Sequence, residues 1–294
     1  MKRIDSLSGI RYYMDKYGIH PRKKWGQNFL VDGNILRKIA HLCNPGCEKL
    51  LVEIGPGLGG LTRELTGISK GVLAIEIDFG LREALAESLQ GLNNIHLLFA
   101  DILQIELEEE LRKAFGEEDI SGYKVCANIP YNITTPIIFK LLETCPQMES
   151  ATLMMQKEVA GRILASPGSK EYGLLTLTTA YYAEVEYLMP VSRNCFYPRP
   201  EVDSSVIQLR PIKGKRVQVK DESNFKKLLR VSFQKRRKTI LNICVDLFSA
   251  EKAEIHSILN SIGIDPKSRP ENLAIEQFAR ISDTLVMRRF GNDI

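Results

Sequence analysis

The feature that most limits the fold is a short apolar run, Leu50-Leu51-Val52-Glu53-Ile54, that breaks without a spacer into Gly55-Pro56-Gly57-Leu58-Gly59-Gly60. A helical pattern opens at once, near Leu61. A strand that turns through glycines straight into a helix begins a β-α unit, and the alternation continues down the chain. VLAIEI (72–77), IHLLFA (95–100), YKVCAN (123–128) and ATLMMQ (151–156) read as further strands, separated by the helical patterns LTREL, LREALAESL, LEEELRKAF and PIIFKLLE. Strands that are apolar throughout imply a parallel sheet covered on both faces. Such sheets take ligands at the carboxyl ends of their strands.

The remainder differs. YGLLTLTTAYY fits a helix or a strand, while EVEYLMPVS and SSVIQLRP read as two late strands. Pro211-Ile212-Lys213-Gly214-Lys215 is a turn-rich, charged joint, and beyond it FKKLLRVSF, TILNICVDLF, AEIHSILNSI and IEQFARISDTLVMRRF are helical with no strand pattern. The prediction is an α/β catalytic domain over residues 1–211 and a small all-helical domain over 212–294. A length of 294 residues accommodates two domains. With 44% hydrophobic and 26% charged residues, disordered and fibrous classes are excluded.

The longest uncharged apolar stretch, between Lys124 and Lys140, is interrupted by Pro130, Asn132 and Pro136 and is too short to cross a bilayer. The N-terminus is charged and lacks an apolar signal-type run, which predicts a cytoplasmic protein without a membrane partner. Six scattered cysteines in such a chain read as free thiols. His41, Cys43 and Cys47 supply three ligand atoms where a structural zinc site needs four, so no metal is expected.

A net charge of +4 decides little, but its distribution does. Arg22, Lys23 and Lys24 close a basic N-terminal stretch, and Lys226 to Lys238 carries seven Lys and Arg with no acid. Acids gather elsewhere, as in Glu106, Glu108, Glu109 and Glu110. Segregation of this kind presents a positive face to a phosphate backbone; the plainer reading is a solvated helix face. On a continuous helix Lys226, Arg230 and Arg237 fall within about 40° of one another and form one stripe.

The glycine string satisfies GxGxxG, so a dinucleotide has to be weighed. Pro56 lacks the N–H that a pyrophosphate would need, and Glu53 repels phosphate. Both suit S-adenosyl-L-methionine, which has a cationic sulfonium and an ammonium and no phosphate. Gly55 and Gly57 let the ligand approach the backbone. Glu76 ends the second strand, where a carboxylate can accept both ribose hydroxyls, and Asp101 after the third is placed for the adenine amine.

Asn128-Ile129-Pro130-Tyr131 follows the fourth strand. Taken alone it is a turn that ends a strand. At the carboxyl edge of a sheet with a cofactor loop it suits methylation of the exocyclic amine of adenine, whose lone pair is delocalised into the ring. Acceptors at the Asn128 side-chain oxygen and the Ile129 carbonyl would favour the pyramidal, nucleophilic nitrogen. Pro130 would stiffen the turn, and Tyr131 offers a face on which an extruded base can stack.

These motifs resemble the ribosomal RNA adenine N6,N6-dimethyltransferases that act on small-subunit (16S) rRNA. The likeness runs from Tyr17 to Phe290. It rests on Gly26-Gln27-Asn28-Phe29-Leu30, the Glu53-to-Gly59 loop, Asn128 through Pro136, Met155-Gln-Lys-Glu-Val159, Ser169-Lys-Glu-Tyr-Gly173 and Phe196-Tyr-Pro-Arg-Pro200-Glu-Val-Asp-Ser204. It implies a Rossmann-like class I S-adenosylmethionine-dependent methyltransferase domain, with Asn28 and Leu30 joining Gly55, Glu76, Asp101 and Asn128 at the cofactor. It also implies that Phe196 packs on the target base opposite Tyr131, and that the helical domain seats the ribosomal particle. The substrate it implies is a pair of adjacent adenosines in a hairpin loop near the 3′ end of 16S rRNA, with a role in small-subunit biogenesis.

Trp25, where an aliphatic is commoner, is a small departure, and residues 1–16 carry no motif. A monomer is the simplest expectation for a chain with so large a partner. The alternative is the related 23S rRNA methyltransferases of macrolide resistance, which share Gln-Asn-Phe and Asn-Ile-Pro-Tyr. An RNA-binding assembly factor that has lost catalysis is a different class of reading, and the intact Asn128-to-Tyr131 turn argues against it.

Overall fold

The computed structural model describes residues 3–22, 26–43, 46–116, 120 and 122–291. In chain order the elements are α1 (Leu7–Tyr17), β1 (Phe29–Leu30), α2 (Gly33–Cys43), β2 (Leu50–Ile54), α3 (Gly60–Thr66), β3 (Gly71–Glu76), α4 (Arg82–Ser88), β4 (Ile95–Phe99) and α5 (Leu107–Phe115). They continue with β5 (Tyr123–Asn128), α6 (Thr134–Thr144), β6 (Met148–Gln156), α7 (Lys157–Ile163), α8 (Leu174–Tyr182), β7 (Ala183–Val191), β8 (Phe196–Tyr197) and β9 (Ser204–Pro211). Four helices close the chain: α9 (Glu222–Gln234), α10 (Ile240–Phe248), α11 (Lys252–Ser261) and α12 (Ile275–Gly291).

Two units result. One comprises Met1–Ala160 with Glu184–Pro211, the other Gly161–Ala183 with Ile212–Ile294. The joint expected after Pro211 is there, but residues 161–183, assigned from sequence to the first domain, are part of the helical unit. They are tied into it by their own bonds. Tyr172 donates from its hydroxyl to the Leu273 carbonyl at 2.9 Å, the Gly168 N–H donates to Glu271 O at 2.7 Å, and the Arg236 guanidinium donates to the carbonyls of Lys170 and Tyr172. The ambiguous YGLLTLTTAYY segment is the helix α8, because Leu177 and Tyr181 on one face bury against Phe225 and other residues of the helical core. Its alternating Leu and Thr mimic a strand, and packing overrides that local preference.

The first unit is built on a seven-stranded sheet in the order β4-β3-β2-β5-β6-β9-β7. The pairs from β4 to β6 are parallel, and β9 runs antiparallel to β6. Every residue of β2 and β3 is buried, as continuous apolar runs require, whereas β4 at the edge is half-buried. The direction in which successive strands are added reverses between β2 and β5. Their carboxyl ends therefore lead connections away to opposite sides and leave a crevice.

α2 and α3 cover one face with Leu36, Ile39, Leu61 and Leu65 packed on Leu51, Val72 and Cys126. The described part of the N-terminal segment, residues 3–16, silent in sequence, is part of the fold: α1 is capped by Ser6 and buries Ile10, Tyr13 and Met14 against Phe29, Leu58 and Leu85. Its far end is held by Lys16 and Tyr17, which both bond the Glu87 carboxylate of α4. All six cysteines are free thiols. Among the described residues no helix is long and apolar enough to cross a membrane.

Removing the Tyr13 ring, which is fully buried, is expected to cost about 3–5 kcal/mol, as for large-to-small changes of other buried aromatic rings. Lys16→Ala, at a half-exposed ion pair, should cost far less. Denaturant unfolding of Tyr13→Ala and Lys16→Ala checks both, and equal midpoints would show that α1 is not part of the folded core.

Candidate active site

The crevice at the reversal of strand order is where the glycine loop and the Asn128-to-Tyr131 turn meet. Gly57 and Gly59 hold φ of +61° and +84°, a region that side chains rarely tolerate. A Cβ on Gly57 would stand 3.1 Å from the Phe29 ring, and one on Gly59 2.8 Å from Leu89. Glycine here lets β2 turn sharply under the Gly26-to-Leu30 string. A Cβ on Gly26 in turn would press on the Tyr131 nitrogen at 3.3 Å, so three segments distant in sequence come together where these glycines leave no room for a side chain.

One cleft is lined by all of the residues expected to hold a cofactor: Asn28, Leu30, Gly55, Gly57, Glu76, Asp101 and Asn128. Ile129, Pro130 and Tyr131 line it too. Among the described lining residues there is no Lys, Arg or His, but there are three carboxyl groups, those of Glu53, Glu76 and Asp101. Among the described lining residues a pyrophosphate would find carboxyl groups and no cation.

Each acid is held differently. Glu76, 5% exposed at the end of β3, accepts the Gly57 N–H at 3.1 Å and the Asp78 N–H at 2.9 Å. Burial nevertheless pushes its carboxyl up to about 7, against the pull of those two bonds. Asp101 caps the turn that follows β4, accepting the Leu103 N–H at 2.9 Å. Glu53 is 1% exposed on β2, and its Oε2 has no hydrogen-bond partner among the described residues. Burial lifts its carboxyl to about 8, and the nearby Glu76 adds to the effect.

The carboxamide of Asn128 is oriented by its neighbour string. Its Nδ2 donates to the Asn28 carbonyl at 3.2 Å, and the Asn28 Nδ2 donates to Gly26 O at 3.0 Å. With Nδ2 so engaged, Oδ1 is left to accept. Tyr131 is fixed by a 2.7 Å hydrogen bond between its hydroxyl and Ser204 Oγ, and burial raises its phenol above the ordinary value.

Phe196, expected opposite Tyr131, is 4% exposed in β8, pairs with Leu30 of β1 and packs among Met189, Val191 and Val206, so it also anchors the string that carries Asn28.

The basic residues are also rearranged. Arg22 lies at the rim, its guanidinium 3.4 Å from Asp78 and its N–H on Gln27 Oε1 at 2.8 Å; Gln27 in turn donates to Asp78 at 2.8 Å. Lys23 and Lys24 lie outside the described residues. In the helical unit, α9 ends at Gln234 and a turn separates it from α10, whose cap is Thr239. The continuous stripe through Lys226, Arg230 and Arg237 is therefore broken: Arg237 is in the turn, and Lys226 bonds Glu222 at 3.1 Å. Lys235 and Lys238 both hold Asp246 at 2.9 Å. Lys227, Arg230 and Arg237 are exposed and take part in no ion pair among the described residues.

Sequence reasoning missed Ile4 and Ile10, which line the cleft from the N-terminal segment. The helical spacing of Ile10, Tyr13, Met14 and Tyr17 is the signal that could have found α1.

The two buried acids make the unliganded chain sensitive to pH. In the unfolded chain their carboxyls ionise near the ordinary value, while in the fold they stay protonated to about 7 and about 8. Their contribution to stability is full below the ordinary carboxylate range, falls as pH rises above it, and is gone once pH has passed through 7 and 8. The fall is up to about 1.4 kcal/mol per pH unit for each proton. Unfolding measured from pH 5.5 to 8.5 should show the decline in the parent and a flatter profile in Glu53→Gln.

With this geometry in hand, comparison with known proteins gives consistent findings. The family model for ribosomal RNA adenine dimethylase matches residues 19–286. The chain is 47% identical over 274 residues to the ribosomal RNA small subunit methyltransferase A of Moorella thermoacetica, covering 91% of this chain and 93% of the relative. It is 42% identical over 295 residues to the Bacillus cereus protein of the same name, covering 99% and 100%. The crystal structure of a dimethyladenosine transferase from Plasmodium falciparum superposes with a TM-score of 0.72 at 26% identity, over 89% of this chain and 98% of that one. The 23S rRNA methyltransferase ErmE superposes with a TM-score of 0.65 at 26% identity, over 87% and 99%.

Proposed function

The chain belongs to the ribosomal RNA adenine dimethylase family, and from that premise we propose that it dimethylates the N6 of two adjacent adenosines near the 3′ end of 16S rRNA. The methyl donor in this reading is S-adenosyl-L-methionine, and the substrate is the small ribosomal subunit or its precursor. Relatives named for the small subunit are 42–47% identical, against 26% for ErmE, which favours 16S over 23S rRNA. The observation that carries the catalytic part is the orientation of the Asn128 carboxamide in the carboxyl-lined cleft.

The cleft fits the donor on its own chemistry: buried acids, no lining cation among the described residues, and an unpartnered carboxyl oxygen. When bound, S-adenosyl-L-methionine supplies a methyl group on a positively charged sulfur. Glu76 offers its carboxylate to the two ribose hydroxyls, and Asp101 accepts from the adenine amine. Gly55 and Gly57 let the amino-acid end lie against the backbone. On the other side of the reaction, Asn128 Oδ1 and the Ile129 carbonyl accept from the two hydrogens of the target amine. That pair of acceptors turns the lone pair out of conjugation as the bond to carbon forms. Pro130 holds the turn rigid, and Tyr131, pinned by Ser204, supplies a face for the base at roughly 1–3 kcal/mol of stacking. No strongly basic residue is needed, since the nitrogen becomes acidic once methylated.

Asn128→Ala is expected to lower turnover by about 10²-fold or more while RNA binding stays near the parent's. Incubation of isolated small and large subunits with labelled donor, followed by mass spectrometry of their rRNA, tests the whole reading. Dimethyladenosine confined to the large subunit would overturn it. Charge reversal at Lys227, Arg230 and Arg237 should weaken particle binding and reduce the slope of log affinity against log salt by about 0.7–0.9 for each phosphate that is no longer neutralised. An unchanged slope would make this surface a merely solvated one.

A further inference from the structure

Glu53 stands apart from the other acids of the cleft. Glu76 accepts two backbone N–H bonds and Asp101 one, but Glu53 Oε2 is shielded from solvent and accepts none among the described residues. The groups that face it are few. From α3, Thr62 lies beside it without closing a well-formed bond, since its own Oγ1 is also unpartnered. Glu76 of β3 repels it, and Cys126, a thiol pushed upward chiefly by its contact with Cys43 and by burial, stands opposite it in the β5 register. No Lys, Arg or His among the described residues acts on it. A lone carboxylate in such a place is costly, and the group remains neutral until something positive arrives. The cleft it lines has no cation of its own among the described residues, so the positive charge has to come with the ligand.

We propose that Glu53 is the proton-linked counter-ion of the cofactor cleft: neutral while the cleft is empty, it releases its proton to solvent when a cationic ligand binds and remains as the carboxylate that pairs with it. The step is balanced, one carboxyl proton leaving to buffer for one positive charge entering. This rests on the reading of the cleft as the site of S-adenosyl-L-methionine. The cation is either the sulfonium or the α-ammonium of that molecule, and the ligands chosen below distinguish them. The consequence is that donor binding should strengthen with pH, whereas capture of a neutral adenosine derivative should not.

The test is calorimetry on the full-length protein in buffers of different ionisation enthalpy, which counts protons released. At pH 7 the parent should release close to one proton more than Glu53→Gln on binding S-adenosyl-L-methionine. Between pH 6 and 7.5, below the range in which the donor's own α-amino group loses its proton, the parent's affinity should climb by up to about tenfold per pH unit. Glu53→Gln should bind the donor about tenfold or more weakly at pH 7.5, with little dependence on pH over the same range. 5′-Methylthioadenosine, which has the ribose but no charge, should bind parent and variant alike with no difference in proton count, and this removes any contribution of Glu76. S-adenosylhomocysteine assigns the partner: a proton count equal to the donor's identifies the ammonium, and a lower one the sulfonium. Donor binding by the parent without proton release overturns the proposal, and because this needs no variant it stands even if Glu53→Gln folds poorly. A parent that bound none of the three would overturn the functional reading and the proposal together.

Discussion

The constraint on which the first unit depends is the close approach, at glycines, of three segments far apart in sequence. The glycine loop after β2, the turn after β5 and the Gly26-to-Leu30 string must approach more closely than side chains allow. The bond from Asn128 Nδ2 to the Asn28 carbonyl joins the last two, and the absence of a Cβ at Gly57 admits the Phe29 ring. Glu53 and Glu76 are buried beside this meeting point, and the Asn28 carbonyl fixes which atom of Asn128 accepts. Sheet order supplies the location, because only between β2 and β5 do neighbouring parallel strands send their connections to opposite sides.

Charge is sorted around that meeting point. Acids lie in the cleft, where burial raises Glu53 and Glu76, while the cations lie on the rim and on the helical unit. Among the described lining residues no cation is available to a phosphate, whereas a buried carboxyl that ionises can pair with a sulfonium or ammonium group. Several of the outer cations are paired with acids, as Lys235 and Lys238 are with Asp246, so the charge available to a nucleic acid is smaller than the sequence count implies.

Much of this was legible in the sequence, for reasons that can be named. The five parallel strands are continuous apolar runs, and the acids and glycines of the cleft stand at their ends, where topology alone dictates a site. What the sequence hid was of another kind. Residues 161–183 join the helical unit through bonds from Tyr172 and Gly168 to residues about a hundred positions later, and local pattern contains no trace of them. The end of α9 before Arg237 rests on a turn and a Thr cap that sit inside a run of helix-favouring Lys and Arg. The burial of Phe196 accompanies the short β1–β8 pairing, two residues long on each side. Two-residue strands leave no periodic signature.

The interleaved path of the chain has a consequence for biosynthesis. Tyr172, Leu177 and Tyr181 leave the ribosome well before Phe225, Phe278 and Ile281, the partners that cover them. A nascent or truncated polypeptide stopping at Pro211 would carry an apolar α8 with nothing to bury it, an invitation to chaperones and to self-association. The chain is thus difficult to shorten: α8, made before its partners, stays uncovered until the final helix has been translated.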